Sequence, residues 1–125
     1  RLQTIPIESK MTVTIYHNPR CSKSRQTLAL IEGKGITPTI IRYLENPPSK
    51  ATLKAIVAKL DVKSAREIMR VKEVPYTELD LSNVSAESAL IDAMVENPIL
   101  IERPIVVNGD KAAIGRPPEA VLEIL

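Results

Sequence analysis

The apolar positions of this chain change their spacing along its length. Residues 12–16 hold Val13, Ile15 and Tyr16 in a β-branched run that predicts a strand. From 22 to 32 the spacing becomes helical, with Leu28 and Ile31 on one face and Gly33 and Gly35 as stops. A second β-branched run covers 39–43. Pro47-Pro48-Ser49 supplies a turn and a cap, after which Leu53, Ile56, Val57 and Leu60 recur at helical spacing. Ser64 and Glu67 carry the capping-box signature of a short helix ending near Arg70. Residues 85–95 predict a further helix with Leu90, Ile91, Met94 and Val95 inward, ended by Asn97-Pro98. The runs 105–107 and 112–114 flank Asn108-Gly109, which predicts a β-hairpin whose loop can exceed two residues. Pro117-Pro118 suits a helix N-terminus, and 120–125 closes the chain. Strand, helix and strand, then helices, then a hairpin and a last helix make an α/β order. It predicts a four-stranded mixed sheet with one α-helical insertion.

Composition narrows the function classes. A chain of 125 residues suits one domain. It can bury about two-thirds of its unfolded surface, so it needs no disulfide or metal to fold. Its single cysteine cannot form an internal disulfide, which fits the reducing cytoplasm. No apolar run is long enough to span a membrane, and no signal-peptide pattern is visible. Residues 1–10 lack a core-like pattern and Arg1 is not an initiator. They are read as an N-terminal extension or tag remnant, with 11–125 as the folded domain. The formal net charge is only +2, with both signs interspersed, which argues against a nucleic-acid partner. Phe and Trp are absent and three tyrosines remain, so a base-stacking platform is excluded and the core must be aliphatic. The near-neutral surface and small size allow a monomer, which is the expected state.

Cys21 changes the picture most. It follows a Pro-containing loop after the first strand, just where the first helix begins. Helix N-termini carry partial positive charge and unpaired N–H groups, and both stabilise a thiolate. Arg20, Lys23 and Arg25 add positive charge nearby, and the same surroundings attract an oxyanion. A cysteine in this setting is read as a reactive thiol rather than a small core hydrophobe. His17, four residues earlier, can bias the thiol toward thiolate, donate to an oxyanion or serve as a structural hydrogen bonder. Ser24 stands where a dithiol redox protein carries its second cysteine, and its hydroxyl can reach a thiolate.

The strand–cysteine–helix order resembles the thioredoxin arrangement. Several blocks resemble, more specifically, the arsenate reductases that use glutathione and glutaredoxin. They are Ile15-Tyr16-His17-Asn18-Pro19-x-Cys21 with Ser24-Arg25-x-Thr27-Leu28, then Tyr43-Leu44-Glu45-Asn46-Pro47-Pro48, the run from Pro98 to Val107, and Arg116-Pro117. The resemblance covers 11–125 and implies a thioredoxin-like fold with an α-helical insertion. It implies Cys21 as nucleophile with His17 and Ser24 beside it, Arg70, Arg103 and Arg116 as oxyanion-binding arginines, and a cis bond at Pro104. It also implies arsenate as substrate, glutathione as co-substrate, glutaredoxin as partner and no bound cofactor.

The chemistry fits those residue types. Arginine grips a tetrahedral oxyanion through two parallel hydrogen bonds and never loses its charge. A phosphatase-type loop needs Arg six positions after the cysteine, where this chain has Thr27. A dithiol oxidoreductase needs a second thiol. Two alternatives share the fold: a related glutathione-dependent thiol reductase, and a redox regulator of the Spx type that binds RNA polymerase. Ser24 speaks against a disulfide switch. One cysteine and one histidine are too few for a zinc site.

Overall fold

The computed structural model describes residues 12–125. The extension predicted at 1–10, and the start at Met11, lie outside the described residues. The chain forms two compact units: one joins the described residues up to Arg42 with Arg103–Leu125, and the other is Tyr43–Glu102.

The first unit is built on a four-stranded mixed sheet, as the element order predicts. Strand β1 (Val13–Tyr16) pairs in parallel with β2 (Thr39–Ile41) and antiparallel with β3 (Ile105–Asn108), which pairs antiparallel with β4 (Lys111–Ile114). The order is β2-β1-β3-β4, so β1 and β3 are central. Helix α1 (Ser22–Gly33) crosses between the two parallel strands, the connection that parallel pairing requires. Its end is a Schellman turn: Gly35 N–H donates to Glu32 O and Ile36 N–H to Ile31 O, with Gly35 at φ 79°. Ile36 then joins the core of Val13, Ile15, Ile31, Val106 and Val121. That core is aliphatic, as the lack of Phe and Trp requires.

Three boundaries differ from the sequence pattern. Strand β2 stops at Ile41 rather than at Tyr43, because its partner β1 ends at Tyr16 and His17 N–H makes the closing bond to Ile41 O. The hairpin loop is Gly109-Asp110 rather than Asn108-Gly109. Asn108 stays in the ladder opposite Lys111 while its Nδ2 donates to Ile124 O at 2.6 Å. The closing segment, Pro118–Ile124, is a 3₁₀ helix.

The second unit is the helical insertion. Helix α2 (Lys50–Lys59) starts where predicted, with the Ser49 hydroxyl accepting from Thr52 N–H. Helix α3 (Val74–Glu78) is a short turn that the apolar spacing does not reveal. Helix α4 (Glu87–Glu96) begins two residues later than predicted and buries Leu90, Ile91, Ala93 and Met94. It packs against α2 and against the 3₁₀ turns Ala65–Ile68 and Pro98–Leu100. Arg66 ties the unit together by donating to Tyr76 Oη, Leu81 O and Val84 O. An antiparallel bridge joins Met69, in the middle of the unit, to Ile101 near its end.

Candidate active site

Cys21 occupies the N-cap of α1, with extended backbone dihedrals (φ −94°, ψ 124°). The turn that delivers it is local. Cys21 N–H donates to Asn18 O, Arg20 N–H to Asn18 Oδ1 and Arg25 Nη1 to Pro19 O. The thiol is partly exposed, so it is accessible while feeling the protein's field.

Burial pushes the Cys21 thiol up, but four groups outweigh it and hold the pKa below its ordinary value. They are the backbone N–H of Ser24, the Arg103 guanidinium, the backbone N–H of Lys23 and the Arg116 guanidinium. The N–H groups are the unpaired donors of the first helical turn. The sequence expectation of a lowered pKa holds in direction, but with different charges. Arg103 and Arg116 act, rather than the side chains of Arg20, Lys23 and Arg25.

His17 and Ser24 form a buried pair. Nδ1 of His17 lies 2.6 Å from Ser24 Oγ, and Ser24 Oγ also accepts from Asn18 N–H at 3.0 Å. Ser24 is fully buried and His17 nearly so. Burial, with the charges of Arg42 and Arg25, lowers the His17 pKa. Those causes favour the neutral imidazole, whose Nδ1 is engaged with the Ser24 hydroxyl. The Ser24 hydroxyl is engaged by His17 and Asn18, and it is the Ser24 backbone N–H that acts on the thiolate.

Two of the three arginines implied by the resemblance come to Cys21 within the first unit. Arg116 Nη1 lies 4.0 Å from Cys21 Sγ and 3.4 Å from Arg103 O. Arg103 is close enough to lower the thiol pKa. The Arg103–Pro104 bond is cis, as the resemblance implies, and Arg116–Pro117 is cis as well. Arg70 belongs to the second unit, where it pairs with Glu73 at 2.8 Å. Among the described residues, no group of three or more His, Cys, Asp or Glu is placed to hold a metal ion, and no helix is long and apolar enough to cross a membrane.

The unpaired amides that the sequence places at the helix start beside Cys21 are those of Lys23 and Ser24. Sequence reasoning missed Gly115 and Thr27, which come together where a Cβ on Gly115 would meet Thr27 and Pro104; neither residue type carries a chemical signal. The arrangement as a whole is a thiol of lowered pKa beside positive charge, which suits attack on an anionic centre.

The profile of the ArsC family matches residues 16–124. An arsenate reductase of Haemophilus influenzae is 55% identical over 116 residues, covering 92% of this chain and all of that one. The uncharacterized protein YfgD of Escherichia coli K12 is 58% identical, covering 90% of this chain and 96% of its own. A solved structure titled as the arsenate reductase from Vibrio cholerae superposes with a TM-score of 0.89 at 54% identity, covering 92% of this chain and 98% of that one. The fold is thus thioredoxin-like, and with this match along nearly its whole length the chain belongs to the ArsC family.

Proposed function

We propose that this protein reduces arsenate to arsenite, with glutathione as co-substrate and glutaredoxin as the recycling partner. The observation that carries the reading is a thiol of lowered pKa with the Arg116 guanidinium 4.0 Å from its sulfur. The relatives named as arsenate reductases support it.

The Cys21 thiolate attacks arsenic, an arsenic–oxygen bond breaks, and the oxygen leaves as water after protonation. Arg103 and Arg116 hold the remaining oxygens and take up the negative charge that shifts onto them. A glutathione thiol displaces a second oxygen as water. Arsenic then bears two sulfurs. It gains two electrons as those sulfurs join in a disulfide, and it leaves as arsenite. Cys21 remains linked to glutathione. A glutaredoxin thiol attacks the glutathione sulfur, and Cys21 departs as thiolate. His17 and Ser24 hold the helix start that presents the thiol.

The test is arsenite release by the purified protein with glutathione and glutaredoxin supplied together and omitted singly. Turnover only with both supports the reading. Equal turnover with thioredoxin alone would reject the electron route, and no arsenite under any condition would reject the substrate.

A further inference from the structure

Gly115 stands at the end of β4, directly before Arg116, and is buried. Its N–H donates to Pro104 O at 2.9 Å. The positive-φ glycines are Gly35 and Gly109, so glycine at 115 answers a need for space rather than for an unusual backbone. A Cβ at this position would lie 2.4 Å from Thr27 Oγ1, 3.0 Å from Thr27 Cγ2 and 2.9 Å from Pro104 Cγ. Neither neighbour can step aside easily. Thr27 is fully buried, its Oγ1 donates to Lys23 O at 2.8 Å, and its β-branch leaves few rotamers. Pro104 is buried and constrained by its ring. A side chain at 115 must therefore push the end of β4 away from α1, and the next residue along that segment is Arg116.

We propose that the contact of Gly115 with Thr27 and Pro104 is a positioning device: residue 115 lacks a side chain so that the end of β4 can lie against α1 and hold the Arg116 guanidinium beside Cys21. Gly115 and Thr27 are positioning residues that act through Arg116. Arg116 Nη1 stands at the long distance of 4.0 Å from Cys21 Sγ, so an outward shift of the end of β4 weakens that contact. The consequence for arsenate rests on the function proposed above, but the geometry itself is read from the thiol alone.

The experiment compares the wild type with Gly115→Ala, Arg116→Ala, the pair of these, and Gly115→Ala with Thr27→Ala. The Cys21 titration midpoint is followed by alkylation rate against pH, with folding checked by circular dichroism. Gly115→Ala should raise the midpoint in the same direction as Arg116→Ala and slow alkylation near neutral pH by about threefold. Adding Arg116→Ala to Gly115→Ala should raise it little further. Thr27→Ala removes both close atoms of Thr27, so it should return the Gly115→Ala midpoint most of the way to wild type. With arsenate, Gly115→Ala should raise KM on the order of tenfold while changing kcat less. A folded Gly115→Ala with the wild-type midpoint would overturn the proposal. If Gly115→Ala does not fold, the Thr27→Ala double variant decides: a folded protein with the wild-type midpoint supports the contact, and failure to fold or the Arg116→Ala midpoint overturns it. These thiol readouts need no arsenate, so failure of the substrate reading leaves them standing.

Discussion

At the scale of single residues, Cys21 is a partly buried thiol whose ionised form the protein favours. Its folded pKa lies below its unfolded one, so in the window between them the unfolded chain binds more protons. The linked stability is fully present above the unfolded pKa and is lost as pH falls through the folded one. Two results follow. Alkylation of the native protein should reach half its limiting rate at a lower pH than in the urea-unfolded chain. The stability difference between wild type and Cys21→Ser should shift toward the wild type as pH rises through that window, measured by urea unfolding. Ser24 poses a separate test. Ser24→Ala leaves His17 Nδ1 and Asn18 N–H without their buried partner, and should cost about 1–3 kcal/mol in urea unfolding. The nucleophile was legible because a cysteine between a strand and a helix advertises itself. The charges that tune it were not: Arg116 lies 95 positions along the chain from Cys21, while Arg25 beside it in sequence turns back to Pro19 O. Only the family resemblance singled out Arg103 and Arg116.

At the scale of elements, the sequence was most readable where apolar spacing and caps agree, as in α2 with Ser49 and the Schellman end of α1. It failed where polar groups are buried. Helix α1 turns Ser24, Thr27 and Ile31 inward, whereas apolar residues alone marked Leu28 and Ile31. The buried hydroxyls are satisfied by His17 and by Lys23 O, so they cost little and leave no hydrophobic trace. The capping box at Ser64 is likewise altered. Ser64 Oγ accepts from Arg66 N–H, and Glu67 Oε2 takes Lys63 N–H, one residue before the cap. The segment forms a 3₁₀ turn, and Glu87 of α4 completes it by accepting from Ser64 Oγ at 2.6 Å and Ala65 N–H at 2.8 Å. Those bonds hold the Glu87 carboxyl below its usual pKa. Its contribution is therefore present above the unfolded carboxyl pKa and fades as pH falls through the folded one. The side chain is exposed, so the effect is small. Thermal unfolding at a series of acidic pH values should show a shallower decline for Glu87→Gln than for the wild type.

At the scale of the whole molecule, one thiol must complete a two-electron reaction. With no second cysteine to resolve it, the proposed cycle passes through a glutathione adduct on Cys21. Intact-protein mass spectrometry after arsenate and limited glutathione, without glutaredoxin, should show one glutathione added, and none on Cys21→Ser. Replacing Arg103 or Arg116 by Lys keeps the charge but loses the planar fork, and each should lower kcat/KM for arsenate on the order of tenfold. A final consequence concerns the end of the cycle rather than its start. The amides of Lys23 and Ser24 and the two guanidiniums favour charged sulfur, and a disulfide sulfur carries no charge. Linking Cys21 to glutathione therefore forfeits their stabilisation, and releasing it restores that stabilisation. The placement that makes Cys21 a ready nucleophile also makes it a ready leaving group, so in the proposed cycle the adduct is poised for discharge.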